Sequence, residues 1–109
     1  MAFAIILTTA SAVEEGQSIA NTLVEKQLAA CVNIIPNISS VYRWEGQIQS
    51  ESEVLLLIKT TKDLEAEVYR EVQNVHSYDT PELITLPITN GSKTYLDLMT
   101  NAVGKQYRG

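Results

Sequence analysis

Three features of the sequence predict an α+β fold of the ferredoxin-like type, a β-α-β-β-α-β sandwich with an antiparallel sheet, a long β-hairpin and a short C-terminal helix. Two amphipathic stretches of helical period each follow a run of strand composition. A Glu45-Gly46 pair divides the two middle strands as a hairpin turn would. The chain of 109 residues is too short for the additional crossovers of a doubly wound sheet. With right-handed crossovers, both helices fall on one face of that sheet. The same length leaves room for one domain and one core, spanning 1–109.

Each element has its own signal. The apolar run at 3–9, with Ile5, Ile6 and Leu7, has strand length. Ser11 followed by Glu14 is a capping-box pattern for the first helix, which places Ile19, Ala20, Leu23, Val24 and Leu28 on one side and turns Glu25 and Lys26 outward. A second strand starts at Cys31. Pro36 cannot donate to a ladder, so a bulge or an edge is expected there. The strand resumes over 38–44, with Tyr42 and Trp44 on one face and Val41 and Arg43 on the other. After the turn the chain returns over 48–59, polar at first and solidly apolar from Val54 to Ile58.

Thr60 with Asp63 repeats the capping-box pattern, and Leu64, Val68, Val72 and Val75 form the stripe of a second helix. That helix should end before Ser77-Tyr78-Asp79-Thr80-Pro81, because the residue before a proline resists helical dihedrals. A fourth strand is predicted over 83–88, with Pro87 again arguing for an edge or a bulge. Asn90-Gly91-Ser92 leads into a last helix carrying Tyr95, Leu96 and Met99, and 104–109 reads as a polar tail.

Composition narrows the function. Thirteen acidic residues against eight basic ones give a formal net charge of −5, and the basic residues are scattered singly. No basic face for nucleic acid can be assembled from them. The segment Met1 to Leu7 is apolar but lacks a basic flank and is far too short to span a bilayer. It reads as a first strand, and the expectation is a cytoplasmic protein without membrane association. One cysteine excludes an internal disulfide and a thiolate-built zinc site within one chain.

Two helices cover only one face of the sheet, and a wet opposite face would read polar at every second position. Ile5-Ile6-Leu7 and Val54 to Ile58 do not alternate, so both faces are expected to be dry. The hairpin around Glu45-Gly46 is also longer than the fold needs, and unpaired strand edges are usually covered. Both features point to an oligomer.

The segments Leu28-Ala29-Ala30-Cys31-Val32-Asn33, Tyr42-Arg43-Trp44-Glu45-Gly46, Ile58-Lys59-Thr60 and His76-Ser77-Tyr78-Asp79-Thr80-Pro81-Glu82 resemble the CutA family of divalent-cation tolerance proteins. Leu7-Thr8-Thr9-Ala10, Gly91 and Tyr95-Leu96 match as well, so the resemblance runs over essentially the whole chain in order. It implies a ferredoxin-like fold, a homotrimer held by strand pairing between subunits, and a link to copper and heavy-metal tolerance. The trimer is similar to PII-type signalling trimers, which suggests a small ligand or a protein in inter-subunit clefts as the alternative role. The resemblance implies no enzyme activity and no required cofactor.

Several residues merit individual weighing. His76 is the sole histidine, and a neutral imidazole suits Cu(II) or another divalent metal. The alternative is that its ring caps the second helix or packs against Tyr78. In copper-binding members of the family the ligands include a cysteine matching Thr8 and a histidine matching Val75, so the resemblance implies only weak metal binding here. Cys31 opens an apolar strand, which suits a small buried hydrophobe, with metal or redox chemistry as the other reading. Glu51 and Glu53 share a strand face, either for a cation or as a solvated surface. Tyr42, Trp44 and Tyr78 are expected at an interface or a cleft, since a tryptophan on a projecting arm is costly to leave in water. No glycine-rich phosphate loop is present, and no residue set has the spacing that catalysis requires.

Overall fold

The structure, a computed structural model, describes residues 1–104; the tail read from the sequence lies, beyond Gly104, outside the described residues. The chain runs β1 (Phe3–Ala10), α1 (Val13–Glu25), β2 (Cys31–Trp44), β3 (Gln47–Thr61), α2 (Glu65–Val75), β4 (Ile84–Ile88) and α3 (Lys93–Ala102), with a short 3-10 helix at Lys62–Leu64 before α2. The sheet order is β2-β3-β1-β4, with every neighbouring pair antiparallel. This is the expected ferredoxin-like arrangement, with β1 and β3 central.

Alternation along the two central strands sorts the sheet into two faces. Ala4, Ile6, Thr8 and Ala10 of β1, with Val54, Leu56, Ile58 and Thr60 of β3, are all buried. They meet Ile19 and Leu23 of α1 and Val68 and Val72 of α2, so both helices lie on this face. Gly16 lets α1 approach the sheet closely: a Cβ there would stand 3.1 Å from Val54 Cγ2 and 3.2 Å from Leu56 Cδ1. The opposite face carries Ile5, Leu7, Leu55 and Leu57, which are half-buried. Their β4 neighbours Ile84 and Leu86 are 48% and 44% exposed. The apolar runs are thus dry on one side and only half-covered on the other. α3 starts over this second face, where the Lys59 ammonium lies 5.7 Å from the centre of the Tyr95 ring.

The helix termini depart from the sequence reading in instructive ways. α1 is capped at Ala12, one residue later than Ser11, and it is Glu15 rather than Glu14 that reaches back, accepting from Ser11 Oγ at 3.0 Å. The helix stops at Glu25, not near Ala29. Gln27 takes the left-handed conformation, φ 58°, its N–H bonds Val24 O, and the Leu28 N–H bonds Leu23 O. That is a Schellman closure made without glycine, and Leu28 folds back beside Leu23 in the core. Thr60 is not a cap; it is a core strand residue whose hydroxyl donates to Leu28 O at 2.7 Å. α3 is capped by a side chain at its start, with Ser92 Oγ accepting from the Tyr95 N–H.

Beyond Val54 the sheet narrows to the β2–β3 hairpin alone. Pro36 and Asn37 face Val54 as a bulge between the pairs Ile35↔Leu55 and Ile38↔Glu53, with Asn37 at φ 60°. The turn takes positive φ at both Glu45 (50°) and Gly46 (77°), the type I′ geometry that matches strand twist. This arm gives the molecule its 46 Å length and a Cα radius of gyration of 14.6 Å, above the about 13 Å of a compact domain of ~100 residues.

Candidate functional site

A groove of about 730 Å³ opens where the arm meets the loop after α2. The arm side supplies Tyr42, Trp44, Glu51 and Glu53, and the loop supplies Tyr78, Asp79 and Glu82. The register explains the arm side. Ser40 pairs with Glu51 and Ile38 with Glu53, so those carboxylates point to the same face as Tyr42 and Trp44. Tyr42 donates its hydroxyl to Glu51, and Tyr78 Oη donates to Glu53 Oε2 at 2.7 Å. The Tyr42 phenol is held above its ordinary range first by that bond to Glu51. Tyr78 is pushed upward as well, first by burial and then by its bond to Glu53.

The loop is pinned from behind by His76. Its side chain is wholly buried. Nδ1 lies 3.0 Å from the Tyr78 N–H and must accept from it, so Nε2 carries the proton and donates to Thr9 O at 2.7 Å. The ring packs on Tyr78 at 4.6 Å between centres. Glu15 completes the knot by accepting from the Ser77 N–H at 2.8 Å and from Ser11. Burial tends to raise its pKa, but the hydrogen bonds from Ser77 and Ser11 prevail and hold it at about 2. One Glu15 oxygen stands 3.7 Å from His76 Nδ1.

The sequence-predicted residues therefore divide. Tyr42, Trp44, Tyr78, Glu51 and Glu53 come together in the groove. His76 sits behind it, packed on Tyr78 as one of its two readings had it, and with both ring nitrogens hydrogen-bonded it has no lone pair free for a metal in this arrangement. Cys31 corrects the core reading: it is half-exposed and pairs with Lys59 on the sheet face away from the helices. Among the described residues no group of three His, Cys, Asp or Glu side chains is placed to hold a metal ion, so a resident metal does not fit a single chain as it stands. No helix among them is long and apolar enough to cross a membrane. Asp79 and Glu82 were within the His76–Glu82 motif but not singled out as site residues. Glu15 was missed because the capping-box spacing pointed to Glu14, and its second partner, the Ser77 N–H, lies on a distant loop.

The comparisons with known proteins agree with this architecture. Residues 4–102 match the family model described as CutA1 divalent ion tolerance protein. The chain is 41% identical to the divalent-cation tolerance protein CutA of Thermus thermophilus, over 92% of this chain and 97% of that one. It is 52% identical to the chloroplastic CutA protein of Arabidopsis thaliana over 82% of this chain, but spans only 49% of that protein's length. The crystal structure of CutA1 from Oryza sativa superposes with a TM-score of 0.94 at 39% identity, covering 96% of each chain. With that coverage and identity, the chain belongs to the CutA1 divalent ion tolerance protein family.

Proposed function

We propose that this protein serves divalent-cation tolerance as a homotrimer without catalytic activity, contacting Cu(II) only weakly. The carrying observation is the half-covered apolar face of Ile5, Leu7, Leu55 and Leu57, flanked by exposed Ile84 and Leu86. Beyond it the arm exposes Trp44 (62%) on the same face and Val41 (69%) and Ile48 (72%) on the other. Burial of each such side chain by a partner contributes about 1.5–3 kcal/mol, and closed symmetry is the usual way for identical chains to supply it. Weak copper contact follows from the ligand inventory. Cu(II) favours several nitrogen and oxygen donors in a tetragonal set, and the one imidazole is committed to Thr9 O and the Tyr78 N–H.

Sedimentation equilibrium tests the assembly, with a single trimeric species expected and Trp44→Ala expected to shift it toward smaller species. A monomer in the wild type sinks the proposal. Calorimetry with Cu(II) on the wild type and His76→Ala tests the metal side. Weak binding in both is expected, and tight binding abolished by the substitution would contradict it.

A second reading is favoured by the groove. Its mixed aromatic and acidic lining suits a small ligand, received where arms and loops of neighbouring subunits meet, so that the trimer signals occupancy rather than chelating metal.

A further inference from the structure

We infer that the groove between the arm and the 77–82 loop is a binding site for a small, elongated organic cation, of the alkyl diamine or polyamine class. This rests on the reading of the groove as a ligand site and names what that ligand is. Four carboxylates line the cavity, Glu51 and Glu53 from β3 and Asp79 and Glu82 from the facing loop, and among the described residues no lysine, arginine or histidine lines it with them. The ion pairs of the described residues lie elsewhere, at Lys26–Glu71, Lys62–Glu65 and Lys93–Asp97, with His76 beside Glu15. Among the described residues, the groove thus presents negative charge from two walls with no cation beside it.

Two further observations select the kind of cation. The carboxylates are not gathered tightly enough for three of them to share a metal ion, so charge must be met at separated points rather than at one centre. The rings of Tyr42, Trp44 and Tyr78 line the same groove. Aromatic faces attract ammonium groups and bury the methylenes of an alkyl chain, which a hydrated metal ion cannot exploit. Both phenol hydroxyls are already spent on Glu53 and Glu51, so neither tyrosine is offered as a donor to an anion. The volume of about 730 Å³ falls within the range of small-molecule sites.

Trp44 is the only tryptophan of the chain and lines the groove, so its emission reports occupancy. The assembled protein is titrated at constant ionic strength with putrescine, n-butylamine, butanediol, succinate and magnesium chloride, and its mass is checked in the same samples. Putrescine is expected to bind saturably and roughly fivefold or more tighter than n-butylamine, because it reaches both walls. Butanediol and succinate should give no saturable change.

Glu51→Gln and Glu53→Gln keep an oxygen to accept from Tyr42 and Tyr78, so they remove charge and spare the hydrogen bonds. Each should weaken putrescine roughly fivefold or more. Glu25→Gln, an equal charge change at the exposed end of α1, should leave it unchanged. Three results overturn the inference: putrescine no tighter than n-butylamine, magnesium as effective as putrescine, or a loss in Glu25→Gln equal to that in the groove variants. Saturable binding of succinate or butanediol in place of putrescine would overturn the cation class alone and keep the groove as a ligand site. Silence toward every probe from an intact oligomer would remove the site itself.

Discussion

The two halves of β3 belong to one strand and live in different surroundings. From Val54 to Thr61 alternate residues are buried against α1 and α2, while from Gln47 to Ser52 every residue is exposed. The hydrogen-bonded ladder to β2 continues through both halves. What changes is the presence of a layer above the sheet. Backbone pairing alone therefore sustains the arm's shape without burying its side chains, and an isolated two-stranded ribbon has little stability of its own. The apolar residues of the inner half hold the subunit together; those of the arm, Val41, Trp44 and Ile48, have no such work to do within it.

Substitutions can break or sharpen this contrast. Leu56→Ala empties a fully buried site and should cost about 2–5 kcal/mol in urea unfolding at fixed protein concentration. Ile48→Ala on the arm should leave subunit structure intact by circular dichroism and act only through assembly. Equal losses of native circular dichroism signal would erase the distinction between the halves.

The knot at the seam between them should respond to acid. The Glu15 carboxyl is held at about 2 against an ordinary value of 4.5. A lowered folded-state pKa contributes stability that is full above 4.5 and is lost as pH falls toward 2. Glu15→Gln should cost about 1 kcal/mol at neutral pH, and the gap from wild type should close over that acid window. A gap that stays constant with pH would mean that the charge of Glu15 does not matter to the loop.

An effect of similar size and opposite sign is expected inside the core. Thr8 Oγ1 is buried with no hydrogen-bond partner among the described residues, so Thr8→Val should raise stability by about 1 kcal/mol. Smallest of all, Glu45→Asn at the arm's tip suits the positive φ of that position better. It should stabilise by about half a kcal/mol or less, seen as slightly slower amide exchange in the hairpin.

Much of the fold was legible because its signals are local. Pro36 announced the bulge, Glu45-Gly46 the turn, and the spacing of Val68 and Val72 the buried stripe of α2. Two helix termini were misread for a physical reason: Ser11 and Thr60 have capping chemistry, but each lies one residue before the N-cap, which falls at Ala12 and at Thr61. Thr60 faces the core, and its hydroxyl donates a hydrogen bond to Leu28 O. Gln27 adopts a conformation usually left to glycine, so the end of α1 had no compositional mark. The site was half legible. Tyr42, Trp44 and Tyr78 stand out as aromatics in polar surroundings, whereas the bond from Tyr78 to Glu53 crosses from a loop to a strand and leaves no spacing to read. For His76 a metal-ligand role and a ring packed on Tyr78 or capping the helix both stayed open, because residue type was visible and its hydrogen-bond partners, Thr9 O and the Tyr78 N–H, were not.

The central position of β1 carries a consequence for synthesis. It is paired with β3 on one side and β4 on the other, yet both partners follow it in the chain, at Gln47–Thr61 and Ile84–Ile88. Chains grow at about 5–20 residues per second, so β1 waits several seconds on the ribosome with both edges open. Its non-local pairings also make folding slower than that of a helical bundle of equal size. The strand made before its partners is completed only when β4 arrives, and until then its edges are available to neighbouring nascent copies of the same chain.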